Sequence, residues 1–178
     1  MLPMETLLLI MLFRECLNMR ILFQHQLDKS KFGEYKYNYA LYADDAFLHN
    51  EIGQAKFYIL DEYDNFILEF ESTILDVILN LSSNHASIMN GSVIKGCLFN
   101  KNSEWDIIFS FIYEYENVTI NFCNGIQITI PLNKFYDSIY EFTVISLDFL
   151  EYFYSGLNEN DHYLNMRQRI FLDIKPIV

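Results

Sequence analysis

Hydrophobic and polar residues alternate over short runs along the first third of the chain, the period of half-buried strands. Residues 20–27 form one such run. In a second, residues 34–42, Tyr35, Tyr37, Tyr39 and Leu41 alternate with Lys36 and Asn38. A turn at 50–53 leads into a third strand candidate, 55–60. The period then changes. Ile67, Phe70, Ile74, Val77, Ile78 and Leu81 recur at helical spacing, with Glu69 and Asp76 on the opposite side. This predicts a helix over 65–81, N-capped by Asp64 or Asn65 and ended by a loop over 82–91.

Strand patterning resumes at 92–99, 105–113, 118–122 and 126–130, with a turn at 100–103. Trp105, Ile107, Phe109, Phe111 and Tyr113 share one face, while Ile108 and Ile112 add apolar bulk to the other, as in a central strand. Asn124-Gly125 marks the last hairpin, and its register follows from the side-chain period. A two-residue turn sets Ile120 opposite Thr129 and Phe122 opposite Gln127, which mixes the faces. A three-residue loop of Cys123, Asn124 and Gly125 instead pairs Phe122 with Ile126, Ile120 with Ile128 and Val118 with Ile130. That arrangement gives one apolar face and requires a left-handed Gly125.

A long helix is expected over 134–155, capped by Asn133 and stopped near Gly156. Asp137, Glu141, Asp148 and Glu151 fall within roughly an 80° arc at helical geometry. Phe135, Ile139, Phe142, Ile145, Phe149, Leu150 and Phe153 occupy most of the remaining circumference, so the helix is read as largely buried with an acidic strip. Residues 158–178 carry Arg167 and Arg169 and a strand-like end at 170–174. The pattern as a whole predicts an α+β fold: a single, mostly antiparallel sheet of about six strands packed with two main helices. Residues 19–178 are read as one domain. Residues 1–18 are read as an apolar N-terminal extension, either a short helix packed on the domain or a segment preceding a native start at Met19.

Composition narrows the partners. The 178 residues are 52% hydrophobic, with 16 Phe and 13 Tyr, enough for a sizeable core. The 24 acids and 12 bases give a net charge of −12. Such a field repels phosphate backbones and attracts cationic protein surfaces, so nucleic acid is not an expected partner. The same charge also keeps a Phe- and Tyr-rich chain in solution. The apolar run at 6–13 follows Glu5, where a signal peptide carries Lys or Arg, and is far shorter than the ~20 residues a membrane span needs. Cys16, Cys97 and Cys123 form no CxxC pair, which argues against a disulfide framework or zinc site and for a reducing, cytoplasmic location.

Candidate chemistry is sparse. Tyr42-Ala43-Asp44-Asp45 matches the YxDD box of reverse transcriptases, where adjacent carboxylates help to hold two metal ions. That chemistry needs a further carboxylate well upstream and a template-binding surface, so the tetrapeptide is read as a turn with two solvated acids. His25, His49, His85 and His162 are scattered, with no HExxH pair, and are assigned surface or structural roles. Cys97 and Cys123, in or beside strands, are expected to be small buried side chains. No GxSxG, P-loop or GxGxxG occurs. No catalytic residue, cofactor or metal is assigned. The residues offered for partner contact are Asp61, Glu62, Asp64, Glu69 and Glu71 around the first helix, and Asp137, Glu141, Asp148 and Glu151 on the second. The alternative is an enzyme or small-ligand module with a pocket lined by Tyr35, Tyr37, Tyr39, Phe57 and Trp105.

This arrangement of strands, helix, strands with an early Trp105, and closing helix, in a short acidic chain, resembles the small cytosolic immunity proteins of bacterial polymorphic-toxin systems. The resemblance spans residues 19–157, notably 57–81 and 105–153. That class shares no functional motif by which to assign residues. It implies a non-enzymatic inhibitor that blocks the active surface of a basic toxin or effector.

Overall fold

The expected alternation is realised first as a small sheet. In the computed structural model, residues 19–26, 36–61, 63, 65–90, 95–99 and 107–174 are described. Strands β1 (Met19–His25), β2 (Gln54–Asp61) and β3 (Phe66–Thr73) pair antiparallel in that order. Short helices α1 (Lys36–Leu41) and α2 (Asp45–Asn50) lie between β1 and β2, and α3 (Ile74–Met89) follows β3. Strands β4 (Lys95–Phe99), β5 (Ile107–Glu114), β6 (Asn117–Phe122) and β7 (Gln127–Pro131) form a second antiparallel sheet, again in sequence order. Helix α4 (Leu132–Phe153), a 3-10 turn (Ser155–Glu159) and α5 (Asp161–Asp173) complete the described chain.

The α+β class is as expected, but there are two sheets, one of three strands and one of four, where a single sheet was expected. Helices α3 and α4 both touch the two sheets: α3 packs on β3 and β4, and α4 bridges them further along. The C-terminal half of α4 meets the first sheet, where Phe149 makes an edge contact with Phe23 at 5.5 Å and Phe23 meets Phe57 at 5.8 Å. Helix α4 also packs against β6 and β7. Each fully buried Phe or Ile on these faces contributes about 1.5–3 kcal/mol. Gly53 lets the first sheet approach. Its φ is +72°, and a Cβ there would stand 2.7 Å from Leu150 Cδ2 on α4.

The final hairpin has the expected register. Val118 faces Ile130 and Ile120 faces Ile128. Phe122 N–H donates to the Ile126 carbonyl at 2.9 Å, Gly125 N–H donates to the Phe122 carbonyl at 3.0 Å, and Gly125 has φ +86°. Val118, Ile120 and Phe122 are buried while Asn117, Thr119 and Asn121 are half-exposed, which is the two-residue period acting.

Four local expectations are corrected. The Tyr-rich segment 34–42 is helical over Lys36–Leu41. There the buried Asn160 side chain satisfies the carbonyls of Ala40, Leu41 and Ala43, a tertiary contact that overrides the strand-like alternation. The segment 65–81 divides: its first part is β3, and the helix begins at Ile74, capped by Thr73 Oγ1, which accepts from Asp76 N–H at 3.2 Å. Neither Asp64 nor Asn65 is the cap. The expected loop over 82–91 is helical to Met89, because Ser82, His85 and Ile88 are buried and Asn80, Ser82 and Asn84 bond back onto carbonyls of the preceding turn. The strand-like end 170–174 belongs to α5, whose buried Tyr163 and Ile170 lie two helical turns apart. Helix α4 begins and ends two residues earlier than expected. Pro131 occupies its N-cap position, and Asn133 Oδ1 accepts from Lys134 N–H at 2.9 Å. Trp105 and residues 1–18 lie outside the described residues.

Candidate functional site

Two regions combine functional groups: a polar cleft between α2, α3 and α5, and the solvent face of α4. The cleft starts from the tetrapeptide at 42–45. Asp44 is the N-cap of α2, its Oδ1 accepting from Phe47 N–H at 2.8 Å. Asp45 opens the helix and takes a 2.9 Å hydrogen bond from His162 Nδ1 on α5. The box therefore supplies one helix cap and one imidazole–carboxylate hydrogen bond. Asn160 fixes this junction. It is 2% exposed, reaches the carbonyls of Ala40, Leu41 and Ala43 at 2.8–3.0 Å, and caps α5 by accepting from Tyr163 N–H at 2.9 Å.

At the other end of α2, His49 Nδ1 bonds to Asp76 Oδ1 in the first turn of α3. An ionised carboxylate only accepts, so Nδ1 carries the proton in both imidazole–carboxylate pairs, and Nε2 is the second ring nitrogen of each. The His49 pKa is raised above its ordinary value, first by the Asp76 hydrogen bond. Burial partly opposes this, and the charges of Asp76 and Asp45 add to it. These helices enclose a cleft of about 460 Å³, with Asp45, His49, Ser83, His162, Asn165 and Arg169 on its polar walls. Leu79 and Met166 supply an apolar part. Sequence reading missed this site because no local spacing encodes it: His49 and Asp76 are 27 residues apart, and His162 and Asp45 are 117.

The other two histidines are structural. His25 is buried, with Nε2 2.9 Å from the Tyr154 hydroxyl and edge contacts to Phe149 and Phe153. His85 is 1% exposed and bonds through Nδ1 to the Asp173 carbonyl at 3.2 Å, closing α5 onto α3. Burial lowers its pKa. Cys123, expected to be buried, is exposed in the hairpin loop; the apolar period ends at Phe122, so the loop residue has no core to enter.

The proposed acidic contacts separate. On α4, Asp137, Glu141 and Asp148 are exposed. Glu151 is not part of that strip, because its Oε1 accepts from both the Tyr163 hydroxyl and Arg167 Nε at 2.9 Å, joining α5 to α4. Burial and the adjacent Glu151 carboxylate raise the Tyr163 pKa. The first acidic group does not surround a helix start. Glu69 and Glu71 stand on edge strand β3, where Glu69 pairs with Lys56 at 2.8 Å and Glu71 accepts from Gln26 at 3.4 Å. Asp61 ends β2, while Glu62 and Asp64 lie outside the described residues.

Of the residues offered for the alternative, an aromatic-lined pocket, Phe57 is fully buried and stacks on Phe70 at 5.0 Å. Tyr37 and Tyr39 fall on α1, and Tyr35 lies outside the described residues. Among the described residues no group of three or more His, Cys, Asp or Glu side chains is placed to hold a metal ion, and no helix is long and apolar enough to cross a membrane. No protein-family model, curated protein or solved structure matches the chain.

Proposed function

We propose that the chain acts by binding, as an immunity-type inhibitor that covers the cationic active surface of a basic toxin or effector through the solvent face of α4. The observation that carries this reading is the composition of that face. Asp137, Glu141, Ile145, Asp148 and Tyr152 fall within roughly an 80° stripe at helical geometry, about 22 Å long, with Tyr140 beside it. Tyr152 is 86% exposed, Tyr140 44% and Ile145 37%. Solvation of α4 requires no exposed aromatic side chains, yet it carries two. Tyrosines are favoured anchors at protein interfaces, and carboxylates around them speed the encounter with a cationic partner. The helix behind the stripe is held by both sheets, so little order is lost on docking. The net charge of −12 and the resemblance to immunity proteins support the same partner chemistry.

The test is growth rescue on co-expression with a panel of basic toxin domains, among them any encoded beside the gene for this chain. The wild type is expected to rescue. A variant combining D137N, E141Q, D148N, Y140A and Y152A is expected to fold with an unchanged circular dichroism spectrum and fail to rescue. Full rescue by that folded variant would overturn the assignment of the face.

A further inference from the structure

The cleft between α2, α3 and α5 is separate from the α4 face, and its chemistry differs from the rest of an acidic chain. It gathers donors. Two imidazoles, a guanidinium, a carboxamide and a hydroxyl line it, against a single carboxylate, Asp45, which His162 already engages. Both imidazoles are held by carboxylates at Nδ1, and among the described residues neither Nε2 has a hydrogen-bond partner. Arg169 is 74% exposed at its side chain, and its Nε stands 4.0 Å from Asp173 Oδ2, a loose ion pair beyond hydrogen-bond length.

We propose that this cleft binds a small organic phosphate, its phosphoryl oxygens taken by His49, His162 and Arg169 and its organic part lying on Leu79 and Met166. Guanidinium and imidazolium N–H groups form charge-assisted bonds to phosphoryl oxygens, and Arg adds a bidentate fork. Ser83 and Asn165 supply neutral donors within the same walls. A volume of about 460 Å³ exceeds the need of a bare oxyanion and lies in the range typical of small-molecule sites. The groups facing His49 are Asp76 on α3, Asp45 on its own helix, and His162 and Arg169 across the cleft. The Asp76 hydrogen bond and the charges of the two aspartates favour the cationic form of His49, so binding fades as the solution becomes alkaline. Asp45, Asp76 and Asp173 stand beside His162, His49 and Arg169 respectively. Affinity therefore comes from directed hydrogen bonds and not from net charge, and is modest.

The full chain is titrated with phenyl phosphate near pH 6.5 while histidine ring and backbone amide NMR resonances are followed. Inorganic phosphate and phenol serve as separate probes. Phenyl phosphate is expected to give saturable shifts at His49, His162 and residues 165–169, to bind more tightly than inorganic phosphate, and to weaken at pH 9; phenol gives none. H162Q and R169Q alter exposed side chains, so both fold, and each is expected to lower affinity about tenfold or more, the worth of a charge-assisted hydrogen bond. Absence of saturable shifts, or shifts unchanged in both variants, would overturn the site. Equal affinity for inorganic phosphate would overturn the organic part of the assignment. Zinc binding at the two histidines without any phosphate response would replace the site with a metal site.

Discussion

Asn160→Ala is expected to be among the most damaging polar substitutions in the chain. The side chain is 2% exposed and serves four backbone groups: its Nδ2 reaches the Ala40, Leu41 and Ala43 carbonyls at 2.9, 3.0 and 2.8 Å, and its Oδ1 takes Tyr163 N–H at 2.9 Å. An amide nitrogen has two hydrogens, so the three carbonyls share them. Loss of the N-cap costs about 1 kcal/mol, and stranding the buried carbonyls costs about 1–3 kcal/mol more. A total near 3 kcal/mol lowers the melting temperature of a domain this size by roughly 6–12 °C. Asn160→Asp sharpens the test, since it keeps the capping oxygen but sets a carboxylate against three carbonyl oxygens. It should destabilise more than Ala, although Asp is ordinarily an excellent cap. Urea unfolding followed by circular dichroism measures both, and amide exchange should rise at residues 42–48 if the α1–α2 junction loosens. A loss under about 0.5 kcal/mol for Ala, or an Asp variant milder than Ala, would refute this account of the junction.

Gly53 and Gly125 both have positive φ, but only Gly53 has a neighbour in the path of a Cβ, so Gly53→Ala should destabilise more than Gly125→Ala; Gly125 should cost only the backbone penalty of about 1–2 kcal/mol. The two perturbed histidines should act on stability with opposite sign. The raised pKa of His49 gives stability that is full below the unfolded value of 6.5 and is lost as pH rises through the folded value, so His49→Gln should be more costly at pH 6 than at pH 9. The lowered pKa of His85 means that the unfolded chain takes up a proton first as pH falls below 6.5, so His85→Gln should flatten the acid side of the stability curve. Glu151→Ala, which strands the Tyr163 hydroxyl and Arg167, should cost about 1–3 kcal/mol, whereas Asp137→Ala on the exposed strip should stay within about 0.5 kcal/mol. Equal losses in chemical denaturation would put Glu151 back on the surface.

Much of the second half of the fold is legible in the sequence because its signals are local. A period of two through Val118, Ile120 and Phe122, followed by Asn124-Gly125, allows one register only, and that register is present. The failures share a cause. Residues 66–73 carry apolar side chains on both parities, so Ile67 and Phe70 fit a helical stripe as readily as a strand; the capping hydroxyl of Thr73 marks the true boundary. Helix α1 reads as a strand because the group that completes its end, Asn160, lies about 120 residues away. Helix α5 buries only Tyr163 and Ile170 fully, too few for its period to stand out. The acidic strip of α4 was visible from helical spacing, but the inward turn of Glu151 depends on α5, and the imidazole–carboxylate pairs of the cleft depend wholly on tertiary contacts.

The central claim is that α4 presents its exposed carboxylates and tyrosines to a cationic protein. The most direct measurement is the affinity of the purified chain for the basic toxin domain that it neutralises in the rescue assay, at low and high ionic strength, for wild type, for D137N/E141Q/D148N, and for Y140A/Y152A. The carboxylate variant should associate more slowly and lose most of its salt dependence. The tyrosine variant should dissociate at least tenfold faster, the loss of one interface anchor being worth about 2 kcal/mol. Wild-type affinity and salt dependence in both variants, with their folds intact, would contradict the account.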